Sequence, residues 1–202
     1  MERQIKNKEL MGANSLDVFK YIVEINPQID EIGLQQYETI SRQHIEQKTI
    51  WITRDRFLRT NEVQELIDKL PETVQMVVFS KVLLNDGNYA HIPMMDFDTP
   101  KNDDGLNIVI DRFKKVNIHE GWILESGVSY HFYGSKLLTE SNWINFMGEC
   151  LLTSIVHDNY NIEQVVDNRY IGHSLIRGGN TLRITTKAEK TFEPKVIKFI
   201  KL

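Results

Sequence analysis

The stretch Val74–Leu84 (VQMVVFSKVLL) is apolar and β-branched through most of its length and runs directly into Asn85-Asp86-Gly87-Asn88. Valine side chains are stiff at χ1 and pack well on a pleated surface, so the run predicts a strand. The four turn-forming residues then return the chain through Tyr89 to Asp98 as a second strand. The pattern recurs: Ile118 to Glu125 and Val128 to Tyr133 read as two strands joined at Ser126-Gly127. Further strand candidates are Lys48 to Thr53, Val165-Val166, Thr181 to Thr186 and Lys195 to Ile200.

Helical periodicity falls between these runs. Leu16, Phe19, Ile22 and Val23 share a stripe behind a Ser15 cap, and Val63, Leu66, Ile67 and Leu70 follow Thr60 or Asn61 and stop at Pro71. Leu106, Val109, Ile110 and Phe113 follow Asp103 or Asp104, and Trp143, Met147, Cys150 and Leu151 make a further amphipathic helix. Strand pairs separated by single helices predict an α+β fold, an antiparallel or mixed sheet with helices packed on it. The 202 residues suffice for one well-buried core, so a single domain over 1–202 is expected. A soft boundary near Pro71 divides it into an N-terminal helical α/β annex (1–72) and a sheet core (73–202).

Composition excludes several classes. No apolar stretch approaches the roughly 20 residues that span a bilayer. Residues Met1 to Leu10 are polar and charged, unlike a secretory leader, and Cys150 is the one cysteine, which leaves no intrachain disulfide and no multi-cysteine zinc site. A cytoplasmic location without membrane contact is the expectation. The net charge of −4 argues against a surface coated for DNA, but Arg169 to Leu202 holds eight Lys/Arg against two Glu. That asymmetry fits a phosphate-facing region on an acidic body, or a solvated basic tail.

Three segments carry candidate chemistry. In Met94-Met95-Asp96-Phe97-Asp98, residues two apart on a strand point the same way, so Asp96 and Asp98 present paired carboxylates. Their mutual repulsion is relieved by a divalent cation or by one of them staying protonated, and an Asp-x-Asp also recurs by chance in loops. In Gly127-Val128-Ser129-Tyr130-His131-Phe132-Tyr133, Ser129 and His131 lie on a polar face and can donate to phosphate oxygens, or simply meet solvent. In the third, Asp167 follows Val165-Val166. Beyond it Arg183, Thr185 and Lys187 share the face opposite Leu182 and Ile184, a basic hairpin face that can grip a triphosphate or stand exposed. Gly178-Gly179 permits a tight turn or close approach to a ligand.

An Asp-x-Asp strand, a Ser-x-His strand after a glycine turn, and an apolar-Asp before a basic segment stand in the order of three motifs of the archaeo-eukaryotic primase superfamily. The chain resembles that family from Met94 to Lys187, most closely at Glu125–Tyr133. The resemblance implies an RRM-like sheet beside a small α/β unit. It also implies a metal-dependent primase or polymerase in which Asp96, Asp98 and Asp167 bind Mg²⁺ or Mn²⁺. Ser129, His131, Arg177, Arg183 and Lys187 would then contact nucleotide phosphates. Nucleoside triphosphates and a DNA or RNA template and primer follow as partners, with accessory replication or defence proteins as candidates. Many relatives have a histidine in the loop after the third motif, where this chain has Gly179-Asn180-Thr181. A catalytically inactive nucleotide or nucleic-acid binder and a metal-dependent nuclease are the competing readings. Tyr133 or Trp122 are candidate stacking surfaces for bases, while Trp51 and Trp143 are assigned to packing. His44, His91, His119, His157 and His173 show no ligand spacing.

Overall fold

The computed structural model describes residues 10–38, 48–59, 61–116, 118, 120–156, 162–186 and 192–201. His44, Thr60, His119, His157 and Lys187 therefore lie outside the described residues. The strands are β1 (Ile29–Glu38), β2 (Ile50–Thr53), β3 (Val74–Leu84), β4 (Tyr89–His91), β5 (Met94–Asp96), β6 (Glu120–Glu125), β7 (Tyr130–Gly134), β8 (Ile155–Val156), β9 (Ile162–Glu163), β10 (Thr181–Arg183) and β11 (Lys195–Lys201). The helices are α1 (Ser15–Ile25), α2 (Arg54–Leu58), α3 (Glu62–Asp68), α4 (Asp103–Phe113), α5 (Glu140–Leu151) and α6 (Asn168–Arg177). The fold is α+β, as the sequence predicts.

Two antiparallel sheets organise the molecule. The larger has the order β10-β3-β1-β2, with β4 also on β3; the smaller has the order β11-β6-β7-β5. Along the chain the smaller sheet runs β5-α4-β6-β7-α5 and closes with β11, the β-α-β-β-α-β order of a split sheet. The larger sheet crosses Pro71: β1 pairs with β3 from Ile29↔Leu84 to Glu38↔Val74. The N-terminal segment is thus built into a sheet with later strands.

Burial explains the layering. Val18, Phe19 and Ile22 of α1 pack with Ile32, Leu34, Met76 and Val78 of the larger sheet in a core that also takes in Trp122, Leu124 and Tyr133 of the smaller one. The other face of the smaller sheet, including Met95, Ile123, Tyr130 and Phe132, meets Val109 and Phe113 of α4 and Trp143, Phe146 and Met147 of α5 in a second core. Trp122, Ile123 and Leu124 are all fully buried because the sheet is covered on both sides. Trp143 is a packing residue as expected, but Trp122 and Tyr133 are fully buried, which removes them as stacking surfaces, and Trp51 is 37% exposed.

Several expectations shift. The strand expected from Tyr89 to Asp98 breaks at Ile92-Pro93: β4 belongs to the larger sheet and β5 to the smaller. Proline has no N–H for the ladder, and at this break the Ile92 N–H binds the Ser80 carbonyl while the Pro93 carbonyl accepts from Gly134. The chain changes sheets there, carrying Asp96 to the end of β5. Strand β1 was not foreseen; polar residues and register shifts at Ile29/Glu31 and Ile32/Leu34 break its alternation. Helix α6 fills the segment between Asp167 and β10, where the sequence predicts no element, and stops at Gly178, whose φ of 70° is left-handed. Val165 and Val166 form no strand of their own; Val166 makes a single bridge to Phe97. Two caps move back one residue, to Asn14 and Asn102, whose side chains accept from Asp17 and Gly105 N–H groups.

Candidate active site

The end of β5 is where the predicted segments meet. Phe97 bridges Val166 in antiparallel register. The Asp167 N–H donates to the Asp96 carbonyl at 3.2 Å, and the Asp98 N–H donates to the Val165 carbonyl at 3.1 Å. Asp96 and Asp167 therefore stand opposite each other, and Asp98, two residues along, shares the face of Asp96. Phe97 and Val166 turn into the second core. Acids about 70 positions apart in the chain are brought onto one short ladder.

β7 and the residue just before it add the next two. Asp96 pairs with His131, and His131 Nε2 lies 3.5 Å from Asp96 Oδ1. Ser129 Oγ accepts the Thr99 N–H at 3.1 Å, which leaves its hydroxyl hydrogen available as a donor. Ser129 and His131 are 7% and 5% exposed, so the polar face of this strand is enclosed rather than solvated. Val128, expected to continue the apolar face, is instead 83% exposed in the turn.

The side chains of the acids have separate partners. Asp167 caps α6, and both the Arg169 and Tyr170 N–H groups bind its Oδ1, at 2.8 and 3.1 Å. Its Oδ2 is left over for another ligand. Among the described residues, no three His, Cys, Asp or Glu side chains are grouped so as to hold a metal ion. The backbone register juxtaposes three hard-oxygen donors of the kind Mg²⁺ takes, and rotation of their side chains is what convergence on a cation requires.

The basic residues divide. Arg183 is 8% exposed. Its guanidinium donates to the carbonyls of Phe192 at 2.6 Å, Thr185 at 3.3 Å and Ser126 at 3.4 Å. Thr185 Oγ1 accepts the Met76 N–H at 3.1 Å. The expected exposed face of Arg183 and Thr185 is therefore absent: β10 ends at Arg183, alternation stops, and both side chains tie down backbone. Arg183 still feels the Asp96 charge, which opposes the lowering of its pKa by burial. Arg177 is less committed: its Nε donates to the His173 carbonyl of its own helix at 3.3 Å. Burial lowers its pKa too, with Tyr170 and Tyr37 opposing. Both remain cations, since arginine does not deprotonate in proteins.

One network behind the site gave no sequence signal. His91, fully buried, stacks on Trp143 with ring centroids 4.5 Å apart. Its Nε2 lies 2.9 Å from Glu140 Oε2 and its Nδ1 3.3 Å from Ser80 Oγ. A carboxylate only accepts, so Nε2 carries the proton and Nδ1 accepts from the Ser80 hydroxyl. Ser80 Oγ in turn accepts the Asn180 N–H at 2.8 Å, and the Trp143 indole donates to Asn180 Oδ1. A Cβ on Gly179 would lie 2.4 Å from the Phe79 ring, so any larger residue there would force that ring to shift. The turn between Arg177 and Arg183 is thereby clamped. The partners of His91 are 11 and 49 residues away, beyond the reach of any local pattern.

Two predictions follow from these contacts. Asp167→Ala removes the α6 cap and costs about 0.5–2 kcal/mol in urea unfolding, whereas Asp167→Asn keeps the acceptor and stays within a few tenths. Both variants lose incorporation activity if the carboxylate binds a cation; full activity of the asparagine variant would reduce Asp167 to a cap. The second concerns acid. Burial holds the His91 pKa below the ordinary 6.5. The unfolded chain then takes up a proton that the folded one refuses, and stability falls as pH drops below 6.5 toward the folded value. Glu140, lowered from 4.5 by His91 and Lys81 despite some burial, adds a loss in the same direction below that value. Urea midpoints from about pH 7 to pH 5 should decline for the wild type and decline less for His91→Gln.

The fold is α+β, with Asp96 at the end of β5, His131 paired to it on β7, and Asp167 opposite it across the single Phe97–Val166 bridge. The family described as AEP-like, Archaeo-eukaryotic primase 1D-like, matches residues 55–195. The chain belongs to this family, and so to the primase-like nucleotidyltransferase superfamily. Among curated proteins and among solved structures, nothing matches. No helix among the described residues is long and apolar enough to cross a membrane.

Proposed function

We propose that this chain carries a primase-polymerase core that adds nucleotides to a nucleic-acid strand. The observation that carries the reading is the pairing of residues 96–98 with residues 165–167, with Asp96 3.5 Å from His131. Asp96, Asp98 and Asp167 would hold Mg²⁺ or Mn²⁺, which when bound supplies charge neutralisation and Lewis acidity at the phosphates. The chain's own groups do the rest. Ser129 donates its hydroxyl hydrogen to a phosphate oxygen, and His131 stands beside Asp96 to donate another. Arg177, with a guanidinium only partly engaged, meets the charge that builds on the departing pyrophosphate. Arg183 holds the β6–β7 turn under Ser129 through the Ser126 carbonyl. The 3′-hydroxyl of a primer gives its proton to water and its oxygen attacks the α-phosphorus; the bond from the α-phosphorus to the bridging oxygen breaks and pyrophosphate leaves with that electron pair. Template and primer are DNA or RNA, and Lys187 remains a candidate phosphate ligand.

The test is template-directed incorporation of labelled nucleotides by the wild-type chain with Mg²⁺ or Mn²⁺. Extension that follows the template sequence supports the reading, and none under either metal with either nucleotide class opposes it. A second reading has one observation in its favour: the Asp167 carboxylate already serves as a helix cap. A binder without turnover would show nucleotide binding by calorimetry beside a clean negative in every incorporation assay.

A further inference from the structure

The aromatic side chains nominated for stacking are inside the protein, but two others lie together on its surface. Trp51 on β2 is 37% exposed and Tyr89 on β4 is 49% exposed. Their ring centroids are 6.1 Å apart and their planes are inclined at 48°. They come from different strands of the larger sheet, and Gly33, opposite Trp51 in the ladder, puts no side chain beside it. Lys81 Nζ lies 5.0 Å from the centroid of the Tyr89 ring.

We propose that Trp51, Tyr89 and Lys81 form a stacking platform for single-stranded nucleic acid, an inference that rests on the polymerase reading of the site. Adjacent exposed rings offer apolar faces to unpaired bases of any sequence, because every base has a π-face. Tyr and Trp are enriched at interfaces, where an apolar ring meets a partner and the polar tip stays wet. The cation beside the ring supplies the phosphate contact. Lys81 is also 3.2 Å from Glu140, but that carboxylate is shared with the His91 N–H at 2.9 Å, so its charge is not spent on the lysine alone. The platform is also tied to the site by the chain. Tyr89 and Asp96 are seven residues apart on the segment that crosses between the sheets, at most about 25 Å when extended. A short single-stranded segment spans that distance.

The measurement is quenching of tryptophan fluorescence by an oligodeoxythymidylate, with chelator present and no nucleotide. Trp122 and Trp143 are 0% and 1% exposed, so Trp51 reports on the surface. We expect quenching, at least tenfold weaker binding by anisotropy of a labelled oligonucleotide for Trp51→Ala and for Tyr89→Ala, and near-normal binding for Trp51→Phe and Tyr89→Phe. Lys81→Met should lower the slope of log affinity against log salt by about one. Binding by the Trp51→Ala, Tyr89→Ala double variant within twofold of wild type overturns the platform. So does loss of quenching with a shift to dimer in sedimentation, which would make the rings a self-contact. The two readings separate cleanly: an Asp96→Asn, Asp98→Asn protein should lose incorporation and keep its oligonucleotide affinity. Oligonucleotide binding through Trp51 in a protein that never incorporates would sink the polymerase reading alone.

Discussion

Asp96→Asn and Asp98→Asn should each lower nucleotide incorporation by about 10²- to 10³-fold, on the scale seen when one charge-stabilising group is lost from an active site. The substitutions remove charge and little else. The contacts that hold this ladder are backbone bonds: the Asp96 carbonyl accepts from Asp167, and the Asp98 N–H donates to Val165. Asparagine retains both. The Asp96 side chain is 35% exposed with His131 Nε2 at 3.5 Å, and an amide oxygen can still face that ring. Unfolding midpoints should therefore stay close to wild type while activity disappears. Activity within threefold of wild type in both single variants, measured with Mg²⁺ and with Mn²⁺, would remove these carboxylates from the chemistry.

Trp143→Ala carries the largest expected loss of stability, about 3–5 kcal/mol, the range for deleting a buried tryptophan. The indole is 1% exposed, and its removal leaves a cavity that α5 and β4 cannot both close. It also strips His91 of its stacking partner and Asn180 Oδ1 of its donor. An acceptor left unpaired in the interior adds to the cavity term. Trp143→Phe separates the contributions: it keeps most of the packing and loses the indole N–H, so its cost should be smaller. Urea denaturation of the three proteins measures both. A Trp143→Ala loss below about 1 kcal/mol would mean that the clamp on the Gly178–Asn180 turn is not built as described.

How far the sequence speaks differs from element to element. Val74–Leu84 is a strand over the same residues that its β-branched run predicts. Helices α4 and α5 follow their apolar stripes, because each has one face on the second core. Strand β1 was hidden since its polar residues Glu31, Gln35 and Gln36 sit in a strand with two register shifts, which erase the period of two. Helix α6 was hidden for a different reason: it is short and mostly polar, and with Leu175 and Ile176 exposed, only Ile171 and Ser174 of it are buried. The site divides in the same way. The order of the motifs marked Asp96, Ser129, His131 and Asp167 as candidates; the Phe97–Val166 bridge brings Asp167 to Asp96, and the pairing of β5 with β7 brings His131 there. The fate of Arg183 was not legible, because its partners Ser126 and Phe192 are 57 and 9 residues away and depend on where β10 ends. The same holds for Trp51: a tryptophan between isoleucines reads as core, yet it stands on the open side of an edge strand whose other side carries Ile52 inward.

A crystal structure with Mn²⁺ and a non-hydrolysable nucleoside triphosphate, examined at the manganese absorption edge, addresses the site most directly. An anomalous peak bounded by Asp96, Asp98 and the Oδ2 of Asp167, with Ser129 and His131 on the phosphates, is the expected result. Manganese bound elsewhere, or nucleotide bound while those three carboxylates stay apart, would contradict a catalytic centre at the end of β5.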